Sequence, residues 1–189
     1  MRAFWLTPLL GFHVFIALIG HAFAATDSPG QSYESCGLIT SEYLTILQLS
    51  DRGLSAEALT ESLPDISEKA ATRVKALISL ANKTGLTETY STIHSEYIAC
   101  ARVVYKHHGA PGPGTRESHF YHCAGENKIR YEISMAAIIG AEQIDVARQL
   151  PASYSNVVQN LFALQKAGGS RDLFDNLATE LKHCINRVM

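Results

Sequence analysis

Residues 123–151 read CAGENKIRYEISMAAIIGAEQIDVARQLP, and this stretch determines how the rest of the chain is interpreted. Residues 36–64 read CGLITSEYLTILQLSDRGLSAEALTESLP, with the same 28-residue step from an opening cysteine to a Leu-Pro pair. A closing cysteine follows each copy, 36 residues after the first proline and 33 after the second. The shorter copy loses length at a Gly-bearing turn, where loop-closure entropy changes little. The pattern predicts a divergent internal duplication.

Helical spacing of apolar residues runs through both copies. The clearest stripe consists of Phe174, Leu177, Leu181, Cys184, Ile185 and Val188. No stretch shows the sustained two-residue alternation that is typical of strands. Because a residue before proline is pushed out of the helical region, the Leu-Pro pairs and the glycines divide each copy into four helices. We predict an all-α fold of two tandem, similar four-helix units, each closed by a disulfide.

Local signals give the expected helix ends. Thr40 or Ser41 is a candidate cap for the first helix, which we expect to end at Gly53. Asp65 and Glu68 stand at capping-box spacing ahead of the third helix.

The first residues are typical of an export signal. Arg2 precedes an apolar run from Leu9 to Ile19, and Ala22 to Ala24 form a small-x-small cleavage pattern. We therefore expect a periplasmic or secreted protein with no stable membrane span after cleavage. The predicted organisation is a signal peptide at 1–24, a flexible leader at 25–35, a first unit at 36–108, a Pro/Gly linker at 109–117 and a second unit at 118–189, with the two units packed as one domain.

Export favours pairing of the four cysteines, all of which follow the predicted cleavage point. Four cysteines allow three connectivities, and the repeat favours Cys36 with Cys100 and Cys123 with Cys184. A bridge closing a loop of about 60 residues stabilises by about 4 kcal/mol in the chain-entropy model. Thiolate-bound zinc is the weaker alternative because the chain has no CxxC or CxxH pair.

Charge excludes one class of partner. The formal net charge is −2, without a basic run. A nucleic-acid-binding protein needs a basic face to replace counterions. We expect no nucleic-acid partner.

Histidines beside the linker form the most suggestive cluster in the chain. They are His107, His108, His119 and His122. Imidazoles at such spacing could hold zinc or copper, which would make the protein a metal carrier or sensor. Histidines in the last turn of a helix are also favoured by the helix dipole, so a purely structural role is an alternative.

Tyrosines flank the same linker. Such residues suit interfaces because they bury area and keep a hydroxyl for a partner. We therefore predict a binding face made of Tyr105, His107, His108, Arg116, His119 and Tyr121.

No reaction motif accompanies these features. The chain has no Gly-x-Ser-x-Gly elbow, His-Glu-x-x-His pair or phosphate loop. This favours a non-enzymatic protein, and an enzyme stays an alternative. The leading hypothesis is an exported binding or accessory protein that acts through a protein partner, such as an inhibitor or immunity protein. The alternatives are the metal carrier or sensor, and a small-ligand carrier or enzyme with a cavity between the two units.

Overall fold

A computed structural model describes residues 31–62 and 66–187. The predicted signal peptide, most of the predicted leader, the Leu63-Pro64 corner and Val188 lie outside these ranges. Within them the chain forms helices and no strand, which confirms the all-α prediction. The helices are α1 (Tyr33–Asp51), α2 (Ala56–Glu61), α3 (Glu68–Thr84), α4 (Leu86–His108), α5 (Arg116–Ile138), α6 (Gln143–Arg148), a 3-10 turn (Ala152–Tyr154) and α7 (Ser155–Ile185).

The first helix begins earlier than predicted. Ser32 caps α1 by accepting the Ser35 N–H, and the Ser35 hydroxyl accepts the Ser32 N–H, so both sides of a capping box are present. Residues 33–35 are therefore helical and do not belong to a flexible leader. Thr40 is not a cap, because it lies inside the helix and donates to the Cys36 carbonyl.

Serine and threonine begin three of the later helices. Ser55 caps α2, Ser67 caps α3 where Asp65 was predicted, and Thr115 caps α5. The Thr115 cap starts α5 at Arg116, so the last two residues of the predicted linker are helical.

Glycines with positive φ mark corresponding corners in the two halves. Gly53 and Gly140 follow α1 and α5, with φ of 95° and 78°. Gly85 separates α3 from α4, and Gly169, with φ of 72°, interrupts α7 at the matching place. The helices thus follow one another in the same order in the two halves. The duplication itself stays a prediction, which superposition of the halves would test.

One continuous core joins both halves. Buried side chains of α1, α3 and α4 pack with those of α5 and the second part of α7 in a single cluster. Its largest fully buried members are Tyr90, Tyr97, Phe174, Leu44, Leu47, Leu77 and Leu177. A smaller cluster of Ile133, Val158, Leu161 and Leu173 lies between α5 and α7. The halves therefore depend on each other for burial of apolar area.

Both predicted disulfides are present. Cys36 of α1 pairs with Cys100 of α4, with 6.0 Å between the Cα atoms. Cys123 of α5 pairs with Cys184 of α7, with 5.7 Å between the Cα atoms. Each bridge joins the first and last helix of one half, and neither connects the two halves.

Candidate binding groove

A groove of about 480 Å³ runs between α4 and α5, the two helices that the linker connects. We call it the α4–α5 groove. Ile98, Ala101, Arg102 and Tyr105 of α4 form one wall, and Tyr121, Gly125, Lys128 and Ile129 of α5 form the other. Both sets recur at helical intervals of three and four, so each is one face of its helix. Tyr33 and Tyr154 contribute from other elements.

Three tyrosines occupy one end of the groove. The rings of Tyr33 and Tyr121 meet edge-on at 5.0 Å between centroids, and those of Tyr105 and Tyr121 stack at 6.1 Å. Tyr33 is 2% exposed, whereas Tyr105 and Tyr121 are 52% and 37% exposed. Aromatic pairs at such separations favour each other beyond the area they bury. The buried ring therefore orients two rings that remain open to solvent.

Tyr33 is held by two hydrogen bonds, one from its hydroxyl and one from its backbone N–H. Its hydroxyl donates to the Gly109 carbonyl at 2.8 Å, and its backbone N–H donates to the Glu117 carboxylate at 2.8 Å. Burial, with smaller contributions from Tyr121 and Tyr105, raises the pKa of Tyr33 to about 12. The hydroxyl is therefore protonated at physiological pH and acts as a donor. These bonds tie both ends of the linker to α1, although the loop between them is exposed.

Small residues form the floor of the groove. Ala101 and Ala124 are buried beneath it, and Gly125 is exposed on it. Apart from the adjoining backbone of α5 and its two chain neighbours, a Cβ atom at Gly125 would meet no heavy atom within 4 Å. The space above this glycine is therefore open.

Charged residues stand around the groove, and most are engaged within the chain. Glu126 accepts the Tyr154 hydroxyl at 2.6 Å and lies 3.7 Å from Arg130. Lys128 pairs with Glu132 at 2.8 Å. Arg102 is exposed and makes no hydrogen bond or ion pair with any residue that the structure describes. It is therefore the cation at the groove that is available to a partner.

The structure places the predicted binding residues in several different settings. Tyr105 and Tyr121 line the groove. Arg116 is committed elsewhere, because its guanidinium bonds both carboxylate oxygens of Glu34 at 2.7 and 2.8 Å and lies over the Phe120 ring. His107 and His108 are exposed at the end of α4, with ring centroids 6.4 Å apart.

The remaining histidines of the predicted cluster lie apart on α5. His119 contacts the Phe120 ring and lies 3.9 Å from the Cys123 sulfur, whereas His122 lines the groove. In residues 31–62 and 66–187, no three His, Cys, Asp or Glu side chains are grouped to hold a metal ion. The structure therefore gives the metal-binding hypothesis no support.

A second, smaller cavity of about 110 Å³ lies between α5 and α7 beside the Cys123–Cys184 bridge. Its polar lining is mixed in charge, with Arg130 and Arg187 near Glu126 and Glu180. Since the charges offset each other, it indicates no particular ligand.

Sequence reasoning missed most of the groove lining, including Tyr33, Arg102 and Gly125. Arg102 and Tyr105 stand three apart on one helix, a spacing that could have indicated a shared face. Tyr33 was assigned to the leader, and no spacing rule connects it with either wall.

Comparisons with protein-family models, with curated proteins and with solved structures found no match to this chain. Among the helices of the described ranges, none has the length and apolar character needed to cross a bilayer.

Proposed function

We propose that this chain is an exported binding or accessory protein that receives a protein partner in the α4–α5 groove. The observation that carries the proposal is the exposed, stacked pair Tyr105 and Tyr121, which the buried Tyr33 holds in position. Tyrosine is enriched among residues that dominate binding energy at protein interfaces. Export is supported by the signal-like first residues and by two disulfides, which persist in oxidising compartments.

Rigidity beneath the groove supports the same function. Each wall helix is fastened to a neighbour by a disulfide, α4 to α1 and α5 to α7. Both walls also pack on the shared core. A preformed surface loses little conformational entropy on binding, which favours affinity.

Site-specific photocrosslinking tests the proposal. A photoreactive amino acid replaces Tyr105 in the full chain, which is then expressed in its native envelope and irradiated. We expect one discrete protein adduct, which disappears when Tyr121→Ala is added. The control carries the photoreactive residue at Ile144, which is 60% exposed on α6 and lies outside the groove. Equal adducts at both positions, or none at Tyr105, would contradict the proposal.

A small-ligand carrier is the second candidate. The groove volume of about 480 Å³ falls within the range of ligand sites, and its walls come from both halves. Native mass spectrometry of the purified protein tests this candidate. A bound apolar molecule that is lost in Gly125→Leu would favour it over the protein partner.

A further inference from the structure

Gly125 occupies a position where this fold has no internal use for a glycine. It lies inside α5, where glycine is less favourable than alanine. Its φ is not positive, and a Cβ there would meet nothing within 4 Å. Gly37 is different, because a Cβ would come within 2.9 Å of the Phe120 ring. What distinguishes Gly125 is the open groove above it, where the missing side chain lets another molecule approach the helix backbone.

The charged residues at the groove indicate the sign of the charge on that molecule. Glu126 is already engaged by Tyr154 and Arg130. Arg102 remains unpaired in the part of the chain that the structure describes, and its guanidinium can hold a carboxylate through two parallel hydrogen bonds. The complementary group on a partner is therefore acidic.

The length and lining of the groove define the rest of the occupant. The α5 wall from Tyr121 to Ile129 spans eight helical steps, or about 12 Å at 1.5 Å per residue. Tyr105 and Tyr121 at one end offer exposed rings to an apolar or aromatic side chain. This length suits a short peptide segment.

We infer that the α4–α5 groove binds a short acidic peptide segment of a partner protein. The segment places an apolar or aromatic side chain over Gly125 and a carboxylate against Arg102. This inference rests on the proposed function and adds the chemistry of the partner to it.

Selection from a random dodecapeptide display library tests the inference. The oxidised full chain is the target, and Gly125→Leu is used for counter-selection. We expect the enriched peptides to combine aromatic or aliphatic residues with Asp or Glu. Their synthetic versions should bind at least tenfold more weakly to Arg102→Glu, since a charge-assisted hydrogen bond is lost and two carboxylates then face each other. The matched control is Arg52→Glu, an exposed arginine outside the groove, which should bind as the unmodified protein does.

Gly125→Ala separates binding from folding. This change should leave the protein as stable as before or more stable, while weakening peptide binding. Enrichment of neutral or basic peptides, equal binding by Arg102→Glu, or no enrichment over Gly125→Leu would overturn the inference. If a partner crosslinks through Tyr105 but binds Arg102→Glu equally well, the proposed function stands and this inference fails. If no partner crosslinks and native mass spectrometry shows a bound apolar molecule, both fail.

Discussion

Glu117 accepts a hydrogen bond from the backbone N–H of Tyr33 at 2.8 Å, so a carboxylate on α5 caps the start of α1. Its other oxygen accepts the Glu34 N–H at 3.3 Å. The first N–H groups of a helix have no partner inside the helix, and a carboxylate there is favoured by the dipole. The bond joins the two halves at the end of the molecule where the groove carries its tyrosines.

Glu117→Ala should lower the free energy of unfolding by about 1–2 kcal/mol, because two backbone donors lose a charged acceptor. Urea denaturation with the disulfides intact measures the change. Glu132→Ala is the control, since its exposed pair with Lys128 should contribute less than about 1 kcal/mol. Equal losses in the two variants would show that the cap does not contribute as argued.

Gly37 and Gly125 should respond to alanine in opposite directions. Gly37→Ala places a methyl group against the Phe120 ring and should destabilise by about 1–3 kcal/mol. Gly125→Ala meets open space and should stabilise by about 0.8–1 kcal/mol through helix propensity. Thermal and urea denaturation rank the two variants. The reverse order would contradict the packing described for α1 and α5.

His94 should make the fold less stable in acid. Its ring is fully buried, with Nδ1 2.8 Å from the Asn127 side-chain oxygen, and burial lowers its pKa from 6.5 to about 4. Between these values the unfolded chain binds the proton more readily, so stability is lost as pH falls from 6.5 towards 4. At about 1.4 kcal/mol per pKa unit, the loss at pH 4 is about 3 kcal/mol.

The variant His94→Gln removes this titration and should gain stability relative to the unmodified protein as pH falls from 6.5 towards 4. Urea denaturation over a pH series compares it with the unmodified protein. His183→Gln, at an exposed position of α7, is the control and should not reproduce the effect of His94→Gln. A His94→Gln profile that runs parallel to that of the unmodified protein would argue against a neutral buried imidazole.

The effect of pH on stability through Glu96 should be opposite to the effect through His94. Burial raises the pKa of its carboxyl from 4.5 to about 7, so the folded state holds the proton more tightly. This contribution is present below pH 4.5 and is lost as pH rises through 7. Glu96→Gln should therefore gain stability relative to the unmodified protein as pH rises from 4.5 to above 7, measured as a shift in Tm.

Glu88→Gln, an exposed change on the same helix, provides the comparison for Glu96 and should give no such gain. Glu96 and His94 change the free energy of unfolding in opposite directions over overlapping pH ranges. The stability of the unmodified protein should therefore vary little between pH 4.5 and 6.5. Each single variant should reveal the slope that the other residue contributes. If the two variants gave parallel curves of stability against pH, His94 and Glu96 would not act in opposite directions.

The two disulfides should contribute about equally. They close similar loops, with sequence separations of 64 and 61 residues. Replacing both members of either pair by alanine should lower the free energy of unfolding by about 4 kcal/mol in the chain-entropy model. Urea denaturation of the two double variants checks this expectation. A large difference between them would mean that strain or residual structure in the unfolded chain, rather than loop entropy, governs one bridge.

The sequence was sufficient for those parts of the fold that depend on local order. Cysteine spacing predicted both disulfides, and glycines predicted the corners at Gly53 and Gly85. The start of α1 was misplaced because the Ser32 capping box lies in a stretch whose composition resembles a leader. The composition of this stretch predicted a leader, whereas its capping hydrogen bonds start a helix there.

Contacts between distant segments were not predictable in the same way. Tyr105 and Tyr121 were identified because they flank the linker, but the ring beneath them comes from α1. His94 lies on the core stripe of α4, yet its partner Asn127 is 33 residues away on α5. Only the packing of α4 against α5 brings these residues together, and helical periodicity fixes a face without specifying what covers it.

No covalent bridge crosses from one half to the other, so the exposed loop around Gly112 and Gly114 carries the chain's only direct peptide connection between them. A protease nick there would leave two cystine-closed fragments that share one interior. In native buffer the nicked protein should stay assembled and elute as a single species. In denaturant, without any reductant, the fragments should come apart. In the folded state the shared core therefore holds the halves together even when the peptide between them is cut.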